Sequence, residues 1–398
     1  MQVLISKNKL ILNSFFQMFI LTLNISIINT LVPLISEEFN VGLDLIGFLF
    51  SLSIFVFFLV SLITGYLIDF FNLKNVLFIA LILSFIGSIM LYFSNTYNLF
   101  IISYLIYGLG LGIDNICVTY IVGSYFYSEK ASNLIRIYYG NALALVLAPL
   151  LVSLLLYLNL NWHYFFLISL FPQLSLITAL FYLKIPNKIK ISYSIKYLFV
   201  IKKIIFNPIF ALSGIIIFFY AAVTNIFTAW FTTYFNSINV TVGLSSFFLS
   251  SFQFAFLLGM FLKSKIIKYF SIKKILFLGS ISSFFLLILT LIIPNIVFKN
   301  IFIFLFGISL SGNFAFTFSI AADHFPDFIN LISAIMFALA NLGIMVFQYL
   351  SGYLSEYWSK NSVIYINIII LFILIFLTAA INSKKFFIKQ ITKQISVT

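Results

Sequence analysis

Residues 65–78 read GYLIDFFNLKNVLF, and residues 264–277 read SKIIKYFSIKKILF. A shift of 199 residues aligns the two stretches and matches four positions within residues 69–78, with Lys74 falling on Lys273. The same shift places Gly108 on Gly307 and Asp114 on Asn313. Two matches at one offset predict a chain built from two repeated halves, an arrangement found in membrane proteins with parallel internal repeats.

The composition places this chain in a membrane. Of its 398 residues, 63% are hydrophobic and only 8% are charged, far less charge than a water-exposed surface needs. A helix crosses the bilayer with about 20 apolar residues, and the sequence holds twelve such stretches. They span residues 10–36, 45–68, 75–93, 98–122, 134–158, 163–183, 208–234, 244–262, 275–294, 301–322, 331–353 and 363–382. The predicted fold class is therefore an all-α integral membrane protein with twelve transmembrane helices.

The net charge of +13 has a topological explanation. If the N-terminus is cytoplasmic and the loops alternate, 20 of the 22 basic residues fall inside and only Lys299 and Lys360 fall outside. The positive-inside rule accounts for this asymmetry, so no nucleic-acid partner is needed to explain the charge. The pattern predicts a multi-pass protein of a bacterial inner membrane with both termini cytoplasmic.

The longest weakly apolar stretch divides the chain. It is the lysine-rich segment KIPNKIKISYSIKYLFVIKK, which lies between the sixth and seventh apolar stretches. The predicted domains are an N-terminal six-helix bundle over 1–183, a basic cytoplasmic linker over 184–207 and a C-terminal six-helix bundle over 208–398.

The opening stretch also resembles a known family signature. Gly65, Asp69 and Lys74 match the loop G-x-x-x-D-R-x-G-R-R/K of the major facilitator superfamily, while Phe70, Asn72 and Leu73 depart from it. In that family the acid helps to latch the cytoplasmic side. The resemblance therefore implies that Gly65, Asp69 and Lys74 form a cytoplasmic gate. The alternative for Lys74 is that it only follows the positive-inside rule.

Other stretches resemble the same family in the expected order. YLIYGLGLG at 104–112 is similar to the fourth-helix motif R-x-x-x-G-x-G, although Tyr104 stands where drug antiporters often have arginine. GNALALVLAPLL at 140–151 and NWHYFFLI at 161–168 are similar to motifs of the fifth and sixth helices. The resemblance implies two pseudo-symmetric six-helix bundles around a central cavity, a small-molecule substrate and no cofactor.

Asp114 is the acidic residue that lies deepest within a predicted span. A charged aspartate at a helix centre costs about 2.5–3.5 kcal/mol on insertion scales, and such residues commonly mark ion or substrate paths. A carboxyl group at this depth can gain and lose a proton during a transport cycle, so Asp114 is predicted to be the proton-coupling residue. The alternative is a protonated aspartic acid that only bonds a neighbouring helix.

Polar residues on the first, fourth, seventh and tenth spans form the predicted substrate site, because these helices line the cavity in the family that the chain resembles. The substrate-lining candidates are Asn24, Asn115, Thr224, Asn225 and Asn313. For each, the alternative is an interhelical hydrogen bond worth about 0.6 kcal/mol. The sequence shows no deep Lys or Arg, which argues against a multiply charged anion as substrate.

These features predict a monomeric secondary active transporter that takes up a small solute with protons by alternating access. A drug or metabolite efflux antiporter and a uniporter are the alternatives, and a non-transporting receptor or scaffold is the alternative of another class. An enzyme is not expected, because the sequence lacks H-E-x-x-H, G-x-S-x-G and Walker A motifs.

Overall fold

A computed structural model describes the backbone of residues 2–125, 130–182, 204–325 and 328–382. The described chain is helical throughout, with fourteen helices. They are α1 (Gln2–Thr30), α2 (Val32–Phe39), α3 (Leu43–Phe70), α4 (Leu73–Tyr92), α5 (Tyr97–Tyr125), α6 (Lys130–Tyr157), α7 (Tyr164–Tyr182), α8 (Pro208–Ser237), α9 (Val242–Ile266), α10 (Ile272–Ile292), α11 (Ile296–Leu310), α12 (Asn313–Asp323), α13 (Ile329–Tyr357) and α14 (Ser362–Asn382). Most of the predicted linker, residues 184–203, lies outside the described residues.

Among the described residues, twelve candidate spans are long and apolar enough to cross a membrane, which confirms the predicted all-α membrane fold. Two details differ from the apolar stretches read in the sequence. The first stretch, 10–36, ends as a span at Thr30, and α2 begins at once with a proline in its first turn. The tenth span, Ile296–Asp323, is interrupted between α11 and α12 at Ser311 and Gly312.

Glycine explains the interruption of the tenth span. Gly312 has φ of 74°, a left-handed conformation that glycine adopts without the steric cost that a Cβ brings. The preceding residue, Ser311, has an extended ψ of 150°. The i to i−4 hydrogen bonds of the helix therefore cannot continue through it. The helix restarts at Asn313. The apolar pattern alone could not show this break, because hydropathy continues across it.

The chain divides into two compact units. The first comprises Met1–Ser192 together with Thr228–Ser250, and the second comprises Tyr193–Phe227 together with Ser251–Thr398. Within the first unit, the hydroxyl of Ser250 donates to the carbonyl oxygen of Val146 across 2.8 Å. This division does not test the predicted domain boundaries at residues 183 and 208, which remain a prediction.

Each unit contains the same close helix crossing. A Cβ added to Gly140 on α6 would clash with the carbonyl oxygen of Phe15 on α1, and one added to Gly343 on α13 would clash with that of Phe218 on α8. Both residues of the second pair lie 203 positions after those of the first, since 218 − 15 and 343 − 140 are equal. Small residues allow membrane helices to approach this closely. The repetition agrees with two related halves.

A polar cluster closes one end of the first unit, where α2 ends and α7 begins. The indole nitrogen of Trp162 donates to Glu38 Oε2 across 2.6 Å, and the His163 ring stacks on Trp162 with 3.7 Å between centroids. His163 Nε2 lies 3.6 Å from Glu38 Oε1. These contacts hold α2 against the start of α7 outside the apolar spans.

Candidate functional site

Asp114 lies within α5 and is fully buried. Neither of its carboxylate oxygens has a hydrogen-bond partner among the described residues. Tyr107 and Cys117 lie seven residues before and three residues after it, which places all three on one face of the helix. Buried polar groups in proteins are nearly always hydrogen-bonded. An unpartnered buried carboxyl group is therefore a candidate for function.

The crossing of α1 and α5 fixes the level of Asp114 in the first unit. Tyr107 donates from its hydroxyl to the carbonyl oxygen of Leu21 across 3.0 Å, and the Asn115 amide nitrogen lies 3.7 Å from the Met18 sulfur. The two contacts run in opposite directions along the helices, so α1 and α5 are antiparallel. Asp114, beside Asn115, is therefore level with the middle of α1.

Asn24 takes part in a buried network that joins three helices. Its amide nitrogen donates to Ser169 Oγ on α7 across 3.1 Å. Gln173, one turn further along α7, donates to Ser169 at 3.3 Å and to Ser88 on α4 at 2.8 Å. Asn24 is fully buried, and its Oδ1 has no hydrogen-bond partner among the described residues. The amide group thus links helices and retains a free acceptor.

Thr224 and Asn225 lie on α8 in the second unit and are partly exposed. The Thr224 hydroxyl donates to the carbonyl of Ala221 at 3.0 Å, and the Asn225 amide nitrogen donates to the same carbonyl at 3.0 Å. Gln348 on α13 donates to the Asn225 carbonyl at 3.3 Å. These bonds hold both predicted lining residues against their own helix.

Asn313 is the first residue of α12, where the tenth span restarts, and only 4% of it is exposed. Its Oδ1 lies 3.4 Å from the ammonium nitrogen of Lys263. The apolar stretch 244–262 ends one residue before Lys263, so the sequence predicts this lysine in the loop that follows. The structure instead places it within α9 and buries it. Two features of the sequence could have indicated this contact. They are Gly259, one turn before Lys263, and the Ser311–Gly312 pair.

The predicted gate is described only in part. Lys74 Nζ donates to the carbonyl oxygen of Phe181 across 3.1 Å, near the end of α7. A cation at that position suits the negative end of a helix dipole. Gly65 and Asp69 belong to the last turns of α3, and their contacts lie outside the described part of the structure.

The site residues divide between the two units: Asn24, Asp114 and Asn115 lie in the first, while Thr224, Asn225 and Asn313 lie in the second. No group of three His, Cys, Asp or Glu side chains in the described ranges is placed to hold a metal ion. Among these site residues, the first unit therefore offers two amide groups and a carboxyl group without a hydrogen-bond partner, and the second unit offers one hydroxyl group and two amide groups.

Comparisons with known proteins place this fold. Residues 14–328 match the model of the Major Facilitator Superfamily. A protein TsgA homolog from Buchnera aphidicola subsp. Baizongia pistaciae is 24% identical over 295 residues, which are 73% of this chain and 74% of that protein.

Solved structures of transporters are similar over nearly their whole length. A bacterial homolog of the human lysosomal transporter Spinster has a TM-score of 0.80 at 12% identity, covering 94% of this chain and 96% of that one. The nucleoside transporter NupG, as a mutant, reaches 0.78 at 18% identity, covering 95% and 100%. The D-xylose-proton symporter reaches 0.75 at 14% identity, covering 93% and 96%.

Proposed function

Because this chain belongs to the Major Facilitator Superfamily, we propose that it is a secondary active transporter that takes up a small solute with protons by alternating access. That it is a membrane transporter rather than an enzyme follows from the family and fold. Proton coupling, uptake and the identity of the residues involved are the proposed part. In alternating access, the solute-binding site would open in turn to each side of the membrane.

The observation that carries the proposal is the state of Asp114. It is fully buried, and both its oxygens lack a hydrogen-bond partner among the described residues. An ionised carboxylate without a partner costs several kcal/mol in a low-dielectric interior. A protonated carboxylic acid avoids most of that cost. A residue that is stable in the protonated form and ionises when water reaches it can carry a proton through a transport cycle.

The proposed substrate class rests on the polar groups that each half offers. The candidates Asn115, Thr224 and Asn225 are neutral and partly exposed. Lys263, which is buried beside the candidate Asn313, is already bonded to backbone carbonyls. Two of the structurally similar proteins are named for a nucleoside and for D-xylose, which are uncharged solutes. We therefore propose a neutral, zwitterionic or cationic solute rather than a multiply charged anion.

The proposed topology places both termini in the cytoplasm of a bacterial inner membrane and treats the chain as a monomer. Twenty of the 22 basic residues then face the cytoplasm, as the positive-inside rule expects. The contact of Lys74 with the end of α7 supports a cytoplasmic gate at Gly65, Asp69 and Lys74. In this proposal Lys74 ties the loop after α3 to α7.

The test has two stages. First, the purified protein is screened in detergent for solutes that raise its melting temperature, since a ligand that binds only the folded state stabilises it by mass action. Sugars, amino acids, nucleosides, organic acids and cationic drugs are compared at pH 5.5 and 7.5. Second, the solute that binds is offered to proteoliposomes under an inward proton gradient. Wild type is expected to accumulate it.

The variant Asp114→Asn decides the coupling. It should lose accumulation under the proton gradient and keep exchange of labelled for unlabelled solute. Asp323→Asn is the matched control, because Asp323 is exposed at the end of α12. Accumulation by Asp114→Asn at the wild-type level would remove the proton-coupling role.

Equilibration without accumulation in wild type would favour a uniporter. Gradient-driven extrusion would favour an efflux antiporter. Absence of transport for every solute that binds would favour a receptor.

A further inference from the structure

We propose that the break in the tenth span is a binding site for a primary ammonium cation, that the chain fills it with its own Lys263, and that this ammonium positions Asn313. The inference rests on contacts within the second unit and does not depend on Asp114 or on the direction of transport. Lys263 follows directly after the predicted span 244–262, and in the structure its side chain contacts the break.

The sequence explains how a lysine reaches this position. Gly259 lies one turn before Lys263 on α9, and a Cβ at that position would lie 2.7 Å from the carbonyl oxygen of Ile308. The absence of a side chain at Gly259 therefore lets α9 lie directly against α11. Lys263 faces the same way as Gly259, because residues four apart share a helix face. Its four-carbon stem then reaches the end of α11.

The ammonium of Lys263 is surrounded by acceptors. It donates to the carbonyl oxygen of Ser309 across 2.6 Å and to that of Ser311 across 2.7 Å, and it lies 3.4 Å from Asn313 Oδ1. Lysine has three donors and no acceptor, so the three oxygens match its capacity. None of the three is a carboxylate. The charge is balanced by backbone and amide dipoles.

The break supplies these acceptors because it interrupts the helix ladder. The last carbonyls of a helix have no intrahelical partner and need one from elsewhere. Here the Ser309 and Ser311 carbonyls accept from Lys263, and the Leu310 carbonyl between them accepts from the hydroxyl of Tyr220 at 3.0 Å. Three consecutive carbonyls are thus bonded by side chains from other helices.

The electrostatics of the break favour a cation. The C-terminal end of α11 carries the negative end of its helix dipole, and unwound carbonyls at the ends of half-helices are the groups that bind monovalent cations in transporters. Such a cluster of carbonyl oxygens suits any small cation that can replace their missing donors. Lys263 provides that cation covalently, so the site is filled in every folded molecule.

A second helix limits the space around the ammonium. A Cβ at Gly279 on α10 would lie 3.0 Å from the Ser309 carbonyl oxygen, 3.3 Å from Lys263 Nζ and 3.5 Å from Asn313 Oδ1. The site is therefore bounded by α9, α10 and the two half-helices. Its position next to Asn313 means that the ammonium holds the amide oxygen of a residue in the candidate substrate site.

Chemical rescue tests this proposal. Lys263→Ala removes the ammonium and leaves room for a small amine, whereas Lys263→Met removes the charge and keeps the stem volume. Both should lower the melting temperature by roughly 5–10 °C, because two buried carbonyls lose their donor. Ethylammonium chloride should restore Lys263→Ala in a saturable way. It should not restore Lys263→Met. Choline chloride, which has no N–H donor, should restore neither variant.

The matched control is Lys265→Ala. Lys265 lies two residues further along the same helix, is exposed, and places its ammonium over the ring of Phe261 at 4.3 Å. It should melt as wild type. Hydrogen exchange then separates positioning from general stability. In Lys263→Ala, exchange should rise in the peptide 309–317 and fall again with ethylammonium, while the peptide 363–382 on α14 should stay unchanged.

Two results would overturn the proposal. One is that Lys263→Ala melts and exchanges as Lys265→Ala does, which would mean that the ammonium holds nothing. The other is a low melting temperature that no ammonium salt changes, with exchange raised equally in both peptides, which would mean that only packing is lost. If Lys263→Ala does not fold, Gly279→Ala replaces it. This variant keeps the lysine and should raise exchange in 309–317 alone, and unchanged exchange there would count against the site.

Discussion

Lys263 donates to the carbonyl oxygen of Ser311 across 2.7 Å, at the residue where the tenth span is interrupted. A charged side chain from one helix therefore completes the broken backbone of another. This relationship links the stability of the second unit to the geometry of Asn313, which lies two residues beyond Ser311.

Tyr220 and Lys263 are expected to act together. Tyr220→Phe removes the donor to the Leu310 carbonyl and should cost about 1 kcal/mol of unfolding free energy. Because the two side chains bond consecutive carbonyls of one break, the double variant Tyr220→Phe with Lys263→Met should not be additive. Denaturation of the single and double variants measures the coupling. Additive losses would show that the two side chains support the break independently.

Tyr107, in the first unit, makes a hydrogen bond that can be compared with that of Tyr220 in the second unit. It donates to the carbonyl of Leu21 at the same distance, 3.0 Å, but α1 is continuous there. The Leu21 carbonyl keeps its helical partner, so Tyr107→Phe should cost less than Tyr220→Phe. The same denaturation experiment ranks the two variants. A larger loss for Tyr107→Phe would contradict the assignment of the Leu310 carbonyl as an unpaired group of the break.

The glycines of the two repeated crossings should not tolerate a methyl group. Gly140→Ala would press on the carbonyl of Phe15, and Gly343→Ala would press on that of Phe218, so each should lower the melting temperature markedly. Gly108→Ala is the control, because a Cβ there has no atom within 4 Å. Replacing glycine by alanine within a helix otherwise favours folding by about 1 kcal/mol. Wild-type melting of Gly140→Ala would show that α1 and α6 lie further apart.

Glu38 should matter more than its neighbour Glu37. Both side chains are exposed, but Glu38 accepts from the Trp162 indole at 2.6 Å and faces His163. Glu38→Ala should change the fluorescence of Trp162 and lower the melting temperature slightly, since a hydrogen bond to a charged group contributes about 1.5–3 kcal/mol at most. Glu37→Ala should change neither. Equal effects from both variants would contradict a specific role for the cluster.

Lys74 tests the proposed gate. Lys74→Met removes the donor to the Phe181 carbonyl and keeps the length of the side chain. If this contact stabilises one state of the transport cycle, the variant should change the rate of exchange while solute affinity stays near wild type. Lys360→Met is the control, because Lys360 is exposed in the connection between α13 and α14. An unchanged exchange rate would leave Lys74 with a topological role only.

The sequence predicted the parts of this protein that depend on composition and short patterns. Twelve apolar stretches gave the spans, because a lipid environment requires about 20 apolar residues for each crossing helix. The motifs around Gly65, Asp69 and Lys74 indicated the family. Asp114 stood out in the sequence because an acidic residue within a span is rare and costly.

Only the tertiary structure showed how polar groups are partnered. Asn24 reaches Ser169 across 145 residues of sequence, and Lys263 reaches Ser311 across 48. A lysine just after an apolar run is predicted to lie in a loop, because hydropathy depends on the residue type and not on the contacts of the side chain. The break at Gly312 was hidden for the same reason, since the apolar pattern continues through it. Sequence determined which segments lie in the membrane, and packing between distant segments decided which polar side chains have partners there.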